Sequence, residues 1–153
     1  MSLSLIVSRS INCRSFLLPV NRSLSLSCCP PENLMDANKY EKLSEETLES
    51  LCQQFEEIIE SQSKLDDSDV ELSNGVLTVQ LSGNGTYVIN KQTPNRQIWL
   101  SSPFSGPKRY DWVPSSWIYK RDKTSIQHLL NQEISRYVGT NVNFDLDWLS
   151  KFE

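Results

Sequence analysis

The sequence predicts an α+β two-layer sandwich in which two helices cover one face of a six-stranded antiparallel sheet. Three observations lead to this fold class. An amphipathic helical pattern precedes a series of short strand patterns, a second helical pattern follows them, and turns of hairpin length join the strands. Short connections of this kind imply that consecutive strands run antiparallel, as a meander. The chain of 153 residues is long enough for one such domain and a leader segment.

The first 31 residues differ in composition from the rest of the chain. They are rich in Ser, Leu and Arg and contain no Asp or Glu, which is typical of a mitochondrial transit peptide. A secretory signal is the alternative, because residues 3–7 form a short apolar run, but no basic residue precedes that run and arginines recur after it. We therefore expect residues 1–31 to be a transit peptide whose cleavage point the composition does not fix. Residues 32–153 are then the folded domain.

The first helix is predicted from an apolar stripe that repeats every three or four residues. The stripe consists of Tyr40, Leu43, Thr47, Leu48, Leu51, Phe55, Ile58 and Ile59. One side of this helix therefore faces a core.

Six strands are expected to follow, at about 69–72, 76–81, 86–92, 96–101, 108–112 and 116–120. The dipeptides Asn74-Gly75 and Asn84-Gly85 are typical of two-residue hairpin turns, and Thr93-Pro94-Asn95 supplies another turn. In the second strand Leu77, Val79 and Leu81 alternate toward the core.

The second helix is predicted over residues 125–138. Thr124 would cap its start with Gln127 three residues later, and Gly139 stands where a C-terminal cap belongs. The residues after it are too apolar to remain in water, so we expect them to pack back across the helices. These residues are Val142, Phe144, Leu146, Trp148, Leu149 and Phe152.

Alternation along the central strands places a tryptophan on the polar side of the sheet. Ile98 and Leu100 belong to the core, which sends Trp99 to the opposite face. Tyr87, Ile89, Tyr110 and Trp112 are expected to point inward in the same way. The residues that then share the outer face are Asn90, Gln92, Gln97, Trp99 and Arg109. An aromatic residue among amides and an arginine is typical of a protein–protein hot spot, and the alternative is that Trp99 is covered by its own chain.

Charge is distributed unevenly along the chain. Residues 32–71 hold 13 acidic against three basic side chains, whereas residues 72–153 hold six acidic against nine basic ones. The acids follow the polar side of the first helix and continue into the next loop and strand: Glu41, Glu45, Glu46, Glu49, Glu56, Glu57, Glu60, Asp66, Asp67 and Asp69. Carboxylates prefer hard cations such as Fe³⁺, Mg²⁺ or Ca²⁺, and an open helix face offers them a shallow, weak site. A solvated acidic face with no ligand is the alternative.

Several other function classes are disfavoured by the composition. The chain has one histidine, His128, and four cysteines without a CxxC pair, so a zinc or iron–sulfur site within the chain is not expected. No glycine-rich phosphate loop opens a helix. The excess of acidic over basic residues after position 31 disfavours nucleic-acid binding.

Three nearly continuous segments resemble the eukaryotic frataxin family. They are residues 85–95 (GTYVINKQTPN), residues 97–103 (QIWLSSP) and residues 105–112 (SGPKRYDW), and the helix that starts at Tyr40-Glu41-Lys42-Leu43 agrees with them. The resemblance covers about residues 38–150.

This resemblance implies a mitochondrial matrix protein of iron homeostasis, with a link to heme biosynthesis. It implies weak binding of iron, Fe²⁺ or Fe³⁺, to the ten acidic residues named above. It also implies activation of iron–sulfur cluster assembly by docking of the five outer-face residues on the cysteine desulfurase–scaffold complex, and a role as an iron chaperone. The expected state is a monomer, with iron-dependent oligomers left open.

An oxidoreductase is the alternative function that the resemblance implies, namely a ferroxidase and iron store that oxidises Fe²⁺ with oxygen. Gln53 and Gln54 interrupt the acidic ridge, which weakens this alternative more than it weakens docking. A third hypothesis is that the acidic face serves only solubility.

Overall fold

The computed structural model describes residues 35–152, and these residues form the predicted sandwich. The predicted transit peptide lies outside the described residues. The helices are α1 (Ala37–Ser61) and α2 (Ile126–Val138), and the strands are β1 (Asp69–Ser73), β2 (Val76–Leu81), β3 (Gly85–Gln92), β4 (Gln97–Ser102), β5 (Gly106–Val113) and β6 (Ser116–Tyr119). All neighbouring strands are antiparallel and follow the chain order β1 to β6. The predicted fold class and meander are confirmed.

The helices begin and end at residues that satisfy their free backbone groups. At the start of α1, the Asp36 carboxylate accepts from the backbone N–H groups of Asn38 and Lys39. At the start of α2 the cap is Ser125, whose hydroxyl accepts from the His128 N–H. The prediction of Thr124 as this cap was therefore wrong by one residue. At the end of α2, Gly139 adopts a left-handed conformation with φ of 85°, as its predicted capping role requires.

Two of the three predicted turns differ in detail from the prediction. Asn74 and Gly75 both have positive φ and form the expected two-residue hairpin. Asn84-Gly85 is not such a turn, because the positive φ angles fall at Gly83 and Gly85 and the loop holds three residues. Arg96 is left-handed after the turn at residues 93–95, so β4 starts one residue later than predicted.

The core lies between the helices and the inner face of the sheet. Leu77, Val79, Tyr87, Ile89 and Tyr110 are buried there, as alternation predicts, and Trp112 is half-buried against the same core. The α1 stripe is buried from Tyr40 to Phe55, while Ile58 and Ile59 are only half-buried.

The C-terminal tail packs against both helices, as its apolar residues predict. Val142, Phe144, Leu146 and Leu149 are buried. The Phe144 ring centroid lies 4.8 Å from that of Phe55 on α1. On the α2 side, Gln127 Nε2 donates to the Phe144 carbonyl at 2.8 Å. The tail is therefore part of the domain core.

The opposite face of the sheet is not covered by either helix. Its residues are exposed or half-buried along every strand, from Asp69 on β1 to Ile118 on β6. This helix-free face contains the first group of candidate functional residues.

No helix within residues 35–152 is both long and apolar enough to cross a membrane.

Candidate functional site

Strand register brings three of the predicted outer-face residues into one row. Trp99 on β4 pairs directly with Asn90 on β3 and with Arg109 on β5. Residues that pair directly across antiparallel strands project from the same face of the sheet. Asn90 and Trp99 are half-buried and Arg109 is exposed, so the row is accessible to solvent.

A second row lies next to the first and is joined to it by hydrogen bonds. Gln97 pairs with Gln92 on β3 and with Asp111 on β5. Gln97 Nε2 donates to Asp111 Oδ1 at 3.0 Å, and Trp99 Nε1 donates to Gln97 Oε1 at 3.0 Å. Both ends of the Gln97 amide are thus engaged within the chain, whereas strand alternation alone predicts a free contact group on the outer face.

Arg109 holds the Trp99 side chain from another direction. Its guanidinium carbon lies 4.5 Å from the centroid of the indole ring, which is the geometry of a cation–π contact. The structure therefore brings all five predicted docking residues, Asn90, Gln92, Gln97, Trp99 and Arg109, together on one face. We name these five residues the docking face.

The acidic residues of α1 and the following segment lie mainly at the surface. The whole predicted set, Glu41, Glu45, Glu46, Glu49, Glu56, Glu57, Glu60, Asp66, Asp67 and Asp69, is exposed except for Glu41 and Glu46, which are half-buried. We name these ten residues the acidic ridge. Lys42 Nζ lies 3.8 Å from Glu46 Oε1, as their helical spacing predicts.

Lys91 binds two carboxylates of the acidic ridge. Its Nζ lies 2.5 Å from Glu41 Oε1 and 2.7 Å from Glu45 Oε1. These hydrogen bonds, first that to Glu41 and then that to Glu45, raise the pKa of Lys91. The hydrogen bond from Lys91 also holds the pKa of Glu45 below its usual value. The N-terminal end of the ridge is therefore already partly neutralised by a side chain, one lysine against two carboxylates.

Apart from the contacts of Lys91, the ion pairs of the ridge within residues 35–152 are limited to that of Lys42 with Glu46, and the Lys42 side chain is 65% exposed. Lys64 follows Glu60 by four residues, but its Nζ donates to the Val138 carbonyl at the end of α2. No group of three His, Cys, Asp or Glu side chains within residues 35–152 is arranged to hold a metal ion. A cation at the ridge would therefore have to draw exposed carboxylates together.

The sequence matches the family model of the frataxin-like domain over residues 33–140. The chain belongs to the frataxin family. A frataxin homolog from Drosophila melanogaster is 50% identical over 134 residues, which cover 84% of this chain and 70% of that protein. Mitochondrial frataxin from Arabidopsis thaliana is 39% identical, over 70% of this chain and 58% of that protein.

Solved frataxin structures agree with the fold. A trimeric yeast frataxin is 37% identical, with a TM-score of 0.58, and the match covers 72% of this chain and 86% of that one. A trimeric yeast frataxin complexed with ferrous is 38% identical, with a TM-score of 0.55, over 72% of this chain and 93% of that one. The family resemblance seen in the sequence is therefore confirmed.

Two residues that shape these surfaces, Asp111 and Lys91, are not predicted from the sequence. Asp111 lies two positions from Arg109, so strand alternation places it on the outer face, and its pairing with Gln97 follows from the hairpin register. Alternation places Lys91 on the inner face of β3, between Asn90 and Gln92. A lysine that points toward the helices of a sandwich signals a carboxylate partner.

Proposed function

We propose that this chain is a mitochondrial accessory protein that activates iron–sulfur cluster assembly by docking on the cysteine desulfurase–scaffold complex in the matrix. The observation that carries the proposal is the helix-free face on which Trp99 stands in a row with Asn90 and Arg109. Family membership supplies the class of partner, and the relatives' mitochondrial names agree with the acid-free composition of residues 1–31.

The chemistry of the docking face supports binding to a protein surface. An aromatic ring and an arginine are among the groups enriched where binding energy concentrates. The Trp99 ring offers a large contact area. Its indole N–H already donates to Gln97 within the chain, so a partner protein does not have to supply an acceptor for it.

Stimulation of cysteine desulfurase activity tests this proposal. Trp99→Ala and Arg109→Ala are each compared with wild type, and thermal unfolding checks that each variant is folded. Trp99→Ala is expected to weaken docking by about 2–4 kcal/mol, the usual range for truncation of a buried aromatic anchor. Wild-type stimulation by both folded variants would rule out this face.

Iron as a weakly held cargo is the second part of the proposal. The donors of the acidic ridge are carboxylate oxygens, which suit Fe²⁺ weakly and Fe³⁺ better. The relative solved with ferrous iron supports iron binding in the family. Because Lys91 engages Glu41 and Glu45, the carboxylates available for iron are Glu46, Glu49, Glu56, Glu57, Glu60, Asp66, Asp67 and Asp69. This arrangement fits an iron chaperone better than a storage site.

The ferroxidase alternative predicts oxygen consumption when Fe²⁺ is added. The combined change Glu49→Gln, Glu56→Gln and Glu57→Gln would abolish that activity if the ridge oxidises iron. Our proposal expects oxygen consumption equal to that of buffer, with Fe²⁺ binding weakened by the same triple change. A matched Glu41→Gln, Glu45→Gln variant is expected to alter Fe²⁺ binding less, since Lys91 already occupies these carboxylates.

A further inference from the structure

We propose that Asp111 is a positioning residue of the docking face: its carboxylate fixes the Gln97 amide, and that amide fixes the indole ring of Trp99. The inference rests on the docking function proposed above. It deepens that function by assigning the group that orients the aromatic anchor before a partner arrives.

The polarity of the three groups permits only one arrangement of the Gln97 amide. An indole N–H can only donate a hydrogen bond, so Gln97 must present its oxygen to Trp99. Its NH₂ group then faces β5, where Asp111 Oδ1 accepts from it. An ionised carboxylate can only accept, so Asp111 selects the amide orientation that Trp99 needs.

The strand register places the side chains of Trp99, Gln97 and Asp111 next to one another on the same face of the sheet. Gln97 and Asp111 pair directly across β4 and β5. Trp99 follows Gln97 by two residues, so it projects from the same face about 6–7 Å along the strand. Arg109 contacts the ring itself. With the indole nitrogen held by Gln97 and the ring held by Arg109, Trp99 loses little further side-chain freedom when a partner binds.

Lys120 provides a matched control for the charge near Asp111. Its Nζ lies 3.3 Å from Asp111 Oδ1, but its side chain is 74% exposed. Exposed ion pairs of this kind contribute little to stability. Lys120→Ala therefore changes the charge beside Asp111 and leaves the hydrogen bonds to Gln97 and Trp99 in place.

Four variants separate positioning from a general loss of charge. Asp111→Ala removes the acceptor and frees the Gln97 amide, so binding to the purified cysteine desulfurase–scaffold complex is expected to weaken about three- to tenfold. Asp111→Asn keeps an oxygen that accepts from Gln97, and Lys120→Ala keeps the carboxylate. Both are expected to bind within about twofold of wild type.

The fourth variant, Gln97→Glu, replaces the donor of the contact with an acceptor, and a second change at Asp111 then restores the hydrogen bond. Gln97→Glu places a second carboxylate against Asp111 and is expected to weaken binding as much as Asp111→Ala does. Adding Asp111→Asn to Gln97→Glu gives an amide that donates to the new carboxylate, which still accepts from the indole. The double variant is therefore expected to recover most of the lost affinity.

The indole N–H resonance of Trp99 gives a readout that a merely structural role would not move. It is assigned with Trp99→Phe, and we expect it to shift in Asp111→Ala and to stay in place in Lys120→Ala. The inference is overturned if Asp111→Ala keeps the wild-type resonance and affinity while Trp99→Ala loses affinity. If Trp99→Ala also binds like wild type, the docking function itself fails. If Asp111→Ala does not fold, the Gln97→Glu rescue decides, and its absence contradicts the inference.

Discussion

Trp117 is fully buried under α1, and its indole nitrogen has one hydrogen-bond partner in the core. Trp117 Nε1 donates to Thr47 Oγ1 at 3.0 Å, and the Thr47 hydroxyl donates to the Leu43 carbonyl. The Thr47 hydroxyl thus joins β6 of the sheet to a turn of α1. The Tyr40 ring contacts the Trp117 ring edge-on at 6.2 Å, which packs the same region from α1.

Replacement of Thr47 tests the energetic role of this buried hydrogen bond. Thr47→Val keeps the side-chain shape but leaves the indole N–H without an acceptor, which costs about 1–3 kcal/mol. We expect the free energy of unfolding in urea to fall by this amount. Thr47→Ser keeps the hydroxyl and should lose less. A Thr47→Val variant as stable as wild type would show that this hydrogen bond contributes nothing net.

The ion pair between Lys91 and Glu45 is expected to make the stability of the fold depend on pH. Glu45 has a folded pKa below its ordinary 4.5, so its contribution is present above that value and is lost as the pH falls through the folded pKa. Lys91 has a folded pKa above 10.5, so its contribution is present below that value and is lost as the pH rises through the folded pKa. The ion pair therefore stabilises the fold between these limits.

The matched variant for this prediction is Lys91→Met, which keeps the aliphatic chain that covers Gly75. We expect wild type to unfold at a higher temperature than Lys91→Met near neutral pH, and the difference to shrink as the pH falls through the lowered folded pKa of Glu45. A difference that persists unchanged at low pH would show that packing, and not charge, accounts for it.

At the scale of elements, the C-terminal tail completes the core beside the helices. Phe144 is fully buried and contacts Phe55, while Gln54 Nε2 donates to the Asp145 carbonyl at 2.9 Å. The tail therefore links α1 to α2 without being part of the sheet. Its apolar residues, rather than any secondary structure, made its packing predictable.

Truncation of Phe144 measures how much the tail contributes. Phe144→Ala should lower the free energy of unfolding by about 3–5 kcal/mol, the usual cost of a cavity left by a buried phenylalanine. Lys151→Ala, at an exposed position of the same tail, is the matched control and should stay within about 0.5 kcal/mol of wild type. Equal unfolding midpoints for the two variants would mean that the tail is not part of the cooperative core.

The elements were predictable from the sequence because their signals are local. Periods of two and of three to four residues located every strand and both helices, with errors confined to boundaries such as Ser125 and Arg96. The exact turn at residues 82–85 was not predictable. The dipeptide Asn84-Gly85 suggested a turn with positive φ at both of its residues, whereas the positive φ angles fall at Gly83 and Gly85.

The contacts between distant elements were not predictable in the same way. Lys91 meets Glu41 and Glu45 across about 50 positions of sequence, and no local period indicates which lysine does so. The alternation that placed Trp99 on the outer face also applies to Asp111, but its role depends on the register between β4 and β5. The residues of the docking face were therefore predictable from the sequence, whereas the hydrogen bonds among them depend on the strand register of the fold.

At the scale of the whole domain, the docking face and the α1 part of the acidic ridge lie on different surfaces. The docking face stands on the uncovered side of the sheet, whereas the α1 part of the acidic ridge belongs to the helix layer. Lys91 lies between two docking residues in β3 and reaches the ridge, so the two surfaces share a strand. A partner bound to the docking face would therefore leave the exposed carboxylates of α1 in solvent.

The affinity of the purified cysteine desulfurase–scaffold complex for Trp99→Ala tests the central claim most directly. The matched control is Trp148→Ala, which removes another half-buried indole from the tail. We predict that Trp99→Ala binds at least about 30-fold more weakly than wild type, since loss of an aromatic anchor costs about 2 kcal/mol or more, and that folded Trp148→Ala binds normally. Wild-type affinity in a folded Trp99→Ala variant would contradict it.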